Sequence, residues 1–313
     1  MKVIKISLVI LAVAVSAFFI IRSLVRIDEV EEVSSSENQF IKRIEQEIDS
    51  LGKLPESKFC KDKYNEVFSL INDYYKPHSP QYPYGRLGKT QTENDQRKDN
   101  FMKELYAVYA DKFIRQAFYI FRGSEWKIDD LKFIRSEYQT LRKSNFLEKD
   151  SPVDNKFAEI QAIFNKYDEI VGFISTCKGF TYSASGLSNR FPISDVQGKI
   201  SQAATYRNNR LGNEYVNNCT RLHDELKEIP QILFRVHVRY LNNKITQWSG
   251  LYSNYNSQND YNNNLGRPIQ NEIEALDNKI YNVANFSSEF KRLSDRWSAD
   301  KRAAYDYKYP TRN

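Results

Sequence analysis

Apolar residues recur at steps of three and four along most of this chain, the period of one helix face. Ile41, Ile44, Ile48 and Leu51 follow it, as do Met102, Tyr106, Tyr109, Phe113, Ala117 and Ile120. The same stepping joins Ile128, Leu131, Ile134, Tyr138 and Leu141, and later Ile160, Phe164, Tyr167, Val171 and Ile174. Each set forms one stripe on a helix, and a stripe needs a partner helix to cover it. Start signals agree. Ser151-Pro152 offers an N-cap followed by a proline at the first helical position, and Ser194-x-x-Gln197 reads as a capping box.

Two segments test the helical reading. Phe234 to Tyr240, FRVHVRY, alternates like a strand. Over a longer window, Phe234, Val238, Leu241, Ile245 and Trp248 keep helical spacing, and the length favours a helix. A last long helix is predicted to open at Pro268, with Ile269, Ile273, Leu276, Ile280 and Val283 in heptad-like steps. Phe286, Phe290, Leu293 and Trp297 resume after a three-residue step, which in a continuous seam would overwind the helix. The fold class is therefore all-α: an elongated bundle of long antiparallel amphipathic helices.

One run breaks the amphipathic pattern. Ile6 to Ile21 is apolar throughout, with Lys2 and Lys5 before it and Arg22 and Arg26 after it. Because Lys5 and Arg22 have stems that snorkel, Val3 to Val25 is long enough to cross a hydrocarbon core of ~30 Å. The rival reading is a cleaved signal ending at Val15-Ser16-Ala17, but Phe18 to Ile21 prolongs the apolar run beyond that site. An uncleaved anchor is the better fit. The signal-like start places the amino end in the cytoplasm and the body on the exported, periplasmic or extracellular side. Later apolar windows carry Arg115 and Arg235, so residues 1–26 are the one expected span. Behind it, 27–150 and 151–313 read as two helical subdomains.

Composition sets limits on the body. With 41% hydrophobic residues, 21 Tyr and 19 Phe, it has the material for a core. The net charge is +6, but Lys and Arg are interspersed with Asp and Glu, and no basic stripe for nucleic acid is legible. Cys60, Cys177 and Cys219 lack metal-ligand spacing. In an oxidising compartment Cys177 and Cys219 have the separation for a disulfide worth about 4 kcal/mol; three buried thiols are the plainer alternative.

Three stretches read as loops: 76–90, 179–193 and 253–267. A short internal echo precedes the first two, KYNEVFSLI at Lys63 to Ile71 before one and KYDEIVGFI at Lys166 to Ile174 before the other. Gly85 to Thr90, GRLGKT, ends like a phosphate-binding loop, but Pro83 stands where the motif needs its first glycine. His78, His223 and His237 show no zincin or di-iron spacing, and no G-x-S-x-G elbow occurs. No catalytic residue, metal ligand or cofactor site is assigned, and the chain leans away from being an enzyme.

Candidate contact residues are aromatic. Tyr252, Tyr255 and Tyr261 sit in an Asn/Tyr-rich stretch suited to adaptable contacts. Trp297, Tyr305 and Tyr307 are mixed with Lys and Arg near the carboxyl end, a composition that suits membrane interfaces or glycans, although a helix end with packed aromatics and wet Lys and Arg is the better fit.

Three islands resemble the LemA family of membrane-anchored bacterial proteins. Ser23-Leu24-Val25-Arg26 looks like its juxtamembrane segment. Asp168 to Phe180, DEIVGFISTCKGF, is similar to D-L-I-P-N-L-V-x-T-V-K-G-Y, with Val171 in place of the proline. Glu272 to Ile280, EIEALDNKI, is similar to E-L-E-x-T-E-N-R-I. The resemblance implies an envelope-associated helical scaffold and carries over no catalytic residues. The resulting expectation is a membrane-anchored envelope protein whose bundle binds a protein or envelope component. The alternative is an anchored enzyme or ligand receptor acting on cell-wall or glycan material.

Overall fold

The computed structural model describes residues 37–76, 90–146, 151–183, 189–251, 266–276 and 280–308. Among them the regular structure is helical, without a strand. Nine α-helices occur: α1 over 37–52, α2 Lys61–Tyr74, α3 Gln91–Arg122, α4 Ile128–Arg142, α5 Pro152–Lys178, α6 Ile193–Asn208, α7 Thr220–Ser249, α8 Arg267–Ala275 and α9 Ser287–Lys308. None of these is long and apolar enough to cross a membrane. The run Ile6 to Ile21, read above as the anchor, lies outside the described residues.

The chain divides into two compact units, one of residues 1–122 and 127–160, the other of 123–126 and 161–313. In the first unit α1, α2, α3 and α4 pack as successive antiparallel neighbours. Ring contacts set the register: Phe40 stacks on Tyr74 at 3.5 Å, and Tyr64 on Tyr109 at 4.1 Å. Tyr106 then donates to the Leu141 carbonyl at 2.9 Å, joining α3 to α4. The predicted stripes supply the core through Ile44, Ile48, Leu51 and Phe113, and Val67, Ile71 and Phe157, outside those stripes, are buried as well. Two ion pairs are buried on their acidic side: Lys61 holds Glu137, and Arg97 donates to Glu37 at 2.7 Å.

Helix starts follow local chemistry. Ser151 caps α5, its Oγ accepting the Asp154 N–H at 3.1 Å, and Pro152 occupies the first helical position as expected. Ser151→Ala should cost about 1 kcal/mol, read as a lower urea midpoint of the first unit; an unchanged midpoint would show the cap to be unused. The box predicted at Ser194 does not form. There α6 begins at Ile193, behind Pro192, which places Ser194 inside the first turn. A true capping box opens α3 instead: Glu93 accepts the Thr90 N–H at 2.7 Å, and Thr90 Oγ accepts the Glu93 N–H at 3.2 Å.

The second unit holds the remainder of α5 with α6 to α9. α5 and α6 are antiparallel, tied by the Tyr206 hydroxyl donating to Glu169 at 2.8 Å and by Lys199 near the Phe180 ring. FRVHVRY is helical, in the middle of α7, as its longer periodicity required. The continuous last helix predicted from Pro268 is absent. α8 ends at Ala275, and Asn282 adopts a left-handed conformation (φ 52°) before the short 3-10 turn Val283–Phe286 leads into α9. Asn tolerates that region far better than a branched residue. The three-residue step in the seam is thus a change of direction, not an overwound turn. α8 runs back along α7, and α9 then runs parallel to it, a departure from the all-antiparallel expectation.

Both copies of the echo are helical, in α2 and α5, and they match in burial position by position. Val67 and Ile71, like Ile170 and Ile174, are buried, while Phe68 and Val171 are exposed. Lys63 pairs with Glu66 at 3.4 Å and Lys166 with Glu169 at 2.9 Å. Val171 therefore leaves the stripe assigned to it, and Ile163, Ile170 and Cys177 join that stripe instead.

Candidate functional site

In the second unit α7 carries three different faces, and only one offers chemistry to solvent. Its apolar face, including Leu226, Leu233, Leu241 and Trp248, lies in the core. A second face is polar but sealed. The Tyr240 hydroxyl and the Lys244 ammonium both donate to the Asn189 carbonyl. Phe191 stacks on the His237 ring at 3.8 Å with an interplanar angle of 7°. His237 Nδ1 lies 3.2 Å from the Tyr281 hydroxyl, and Tyr182 donates to the Arg190 carbonyl at 2.7 Å. Burial pushes Lys244 down and Glu272 up, while their mutual attraction works the other way on both. Because His237 and Tyr240 are fully enclosed, this cluster fastens the 189–192 segment and Tyr281 to α7. It presents nothing to a ligand.

The third face is open. Arg235 and Arg239 stand one turn apart on α7, about 6 Å along the axis. Arg292 and Arg296 stand one turn apart on α9, and because the two helices are parallel the four guanidiniums border one groove of about 470 Å³. All four residues are exposed, whereas Leu293 in the floor is buried and Val238 beside it half-buried. One carboxylate faces them: Glu289 accepts from Arg235 at 3.3 Å. Arg296 is held by Asn242 at 2.6 Å and Thr246 at 2.7 Å, and pairs with Asp300 at 3.8 Å. Among the described residues, no hydrogen bond or ion pair engages Arg239 or Arg292. Four cations stand against Glu289 in the groove and Asp300 behind Arg296, and the excess positive charge is a cost that an incoming anion would relieve. Planar guanidinium forks bind carboxylate or phosphate through two parallel hydrogen bonds.

The first unit has a cavity of about 580 Å³ beside Tyr106 and Phe146, lined by Glu104. Among the described residues, neither it nor the arginine groove brings together the pair of carboxylates that glycoside cleavage requires. Among the described residues no group of three or more His, Cys, Asp or Glu is arranged to hold a metal ion. No protein-family model, curated protein or solved structure matches the chain.

The residues singled out in the sequence are dispersed. Tyr252, Tyr255 and Tyr261 lie outside the described residues. Tyr305 and Tyr307 are exposed on the last turns of α9. Trp297 is not part of any exposed surface. It is 2% exposed, lies 4.8 Å from Trp248, and donates to Gln270 at 2.5 Å, because its place on α9 turns it inward beside outward-facing Arg296. Cys60, Cys177 and Cys219 are three separate buried thiols, and Cys177 and Cys219 are not joined by a disulfide. Burial pushes all three thiols up, Cys60 to about 11, which keeps them protonated and unreactive near neutrality. His223 Nε2 lies 3.0 Å from the Asn217 carbonyl, a structural contact at the start of α7. Thr90, the end of the GRLGKT stretch, is the α3 cap.

The arginine groove is the feature that sequence reading missed. The signal was present as two R-x-x-x-R pairs, at 235/239 and 292/296, each on one helix face. Each pair alone looks like an ordinary solvated face, and their convergence is decided by tertiary packing.

Proposed function

We propose that this chain is a membrane-tethered bacterial envelope protein whose helical body is an interaction module, akin to the LemA family and exposed on the exported side of the membrane. The observation that carries the reading is the open α7–α9 groove, where four guanidiniums outnumber one carboxylate over an apolar floor. A site of that kind recognises an anionic partner; it does not move protons or activate a nucleophile. The tether is supported by the apolar run Ile6 to Ile21 with its Lys and Arg flanks. The envelope setting is supported by the juxtamembrane, DEIVGFISTCKGF and EIEALDNKI islands.

The test is crosslinking in intact cells followed by mass spectrometry, combined with alkaline carbonate extraction. The full-size chain is expected in the extracted membrane, with crosslinks from the second unit to a small set of partner molecules. Self-links and bulk lipid alone would remove the interaction role. A soluble chain shortened near Ala17 would remove the tether.

A further inference from the structure

We infer that the occupant of the α7–α9 groove is an acidic, partly apolar peptide segment of a partner protein, bound with its carboxylates on the two arginine rows and its aliphatic side chains on Val238 and the arginine stems. The inference rests on the interaction-module reading and names that module's ligand. Spacing supports it first. The guanidiniums repeat at about 6 Å on each helix, which matches carboxylates placed one helical turn apart on a peptide.

The floor supports it second. Half-buried Val238, backed by the buried Leu293, lies between the arginine rows and their aliphatic stems, so a ligand fills the groove best if it carries an apolar strip flanked by negative charge. A phosphodiester or polyphosphate strand gains nothing from that floor, and a flat anionic bilayer does not enter a cleft between two helices. Glu289 shows the preferred chemistry within the chain itself, since its carboxylate already occupies the Arg235 end of the groove. Arg239 and Arg292, one on each helix, are the guanidiniums left to engage the ligand.

The inference predicts the composition of peptides selected on this surface. The full chain in detergent micelles is offered a display library of random twelve-residue peptides, with the Arg239→Glu/Arg292→Glu double variant for counter-selection. Enrichment of peptides combining Asp or Glu with Leu, Ile or Val is expected. The best of them should bind at least tenfold more weakly to the double variant by fluorescence anisotropy, and its affinity should fall as salt is raised. The Arg239→Lys/Arg292→Lys variant should bind with intermediate affinity, keeping the charge but losing the two-pronged hydrogen bonds. Unchanged circular dichroism and urea midpoints in both variants would show that the exposed substitutions leave the fold intact.

Enriched peptides without acidic bias, or binding that survives the double charge reversal, would overturn the inference. So would tighter, arginine-dependent binding of inorganic polyphosphate or of phosphatidylglycerol vesicles than of any selected peptide. Since the selection uses purified chain, its failure beside specific crosslinks in cells would sink the peptide ligand and leave the module reading standing. The converse result would sink the module reading.

Discussion

Trp248→Ala is expected to remove about 3–5 kcal/mol from the stability of the second unit, a large part of the ~5–15 kcal/mol that holds a typical domain. Trp248 is 1% exposed and lies 4.8 Å from Trp297, which is itself buried. Trp297 donates to Gln270 of α8, so the indole pair sits where α7, α8 and α9 meet. Truncation leaves a cavity that three helices cannot all close at once, hence a cost near the upper end of the large-to-small range. Trp248→Phe should lose markedly less, since most of the ring area remains. Trp248→Ala and Trp297→Ala combined should cost less than their sum, because the second truncation removes a contact already lost. All three tryptophans, Trp126, Trp248 and Trp297, belong to this unit, so fluorescence of Trp126 reports its urea unfolding even in the double variant. A loss below ~1 kcal/mol for Trp248→Ala would contradict the enclosed position of the ring.

The helical architecture was legible because it rests on periodicity alone. One apolar stripe per helix is a local property, and Ile44, Leu51, Phe113, Ile134 and Ile160 reach the core from stripes visible in the sequence. Even the strand-like FRVHVRY resolved correctly once its window was widened. Misreadings gather where one local signal can be satisfied in two ways. The apolar positions from Ile269 to Trp297 fit a single helix with a step, yet they also fit two helices that fold back, and Asn282 is the residue that permits the reversal. Trp297 shows the same limit. Its neighbours are Arg, Ser, Ala and Asp, so composition left a contact surface open beside the packed helix end, and its phase on α9 decides for packing by turning it toward Trp248.

The groove was illegible for a different reason. It is made of two exposed faces, and exposed faces carry no periodic constraint tying one to another. Arg235 and Glu289 are joined in space but lie 54 positions apart. Interspersed acidic residues keep the charge balance unremarkable along the chain, although they leave one carboxylate in the groove against four guanidiniums. Only the parallel course of α7 and α9, itself a product of the break after α8, brings the two R-x-x-x-R pairs together.

That same break carries Tyr281 to His237 and sets up the second large effect. The stability of this unit should fall by about 3 kcal/mol between pH 7 and pH 4 through His237 alone. Burial lowers this imidazole from an ordinary 6.5 to about 3, since the ring is enclosed between Phe191 and Tyr281. The unfolded chain takes up a proton below pH 6.5 that the folded chain refuses until about pH 3. The contribution is therefore complete above 6.5 and is lost progressively as pH falls through that window. Other groups of the unit also titrate there: Lys166 holds Glu169 low, and burial raises Glu272, whose effect on stability has the opposite sign. These are shared by a His237→Phe variant, which retains a ring against Phe191 but has nothing to titrate. At pH 7 the variant should be less stable by about 1–2 kcal/mol, because the Tyr281 hydroxyl loses its partner. At pH 4 the order should reverse, with the variant the more stable. Urea unfolding followed by tryptophan fluorescence at both pH values decides it, and parallel pH slopes in the two proteins would mean that His237 is open to protons in the folded state.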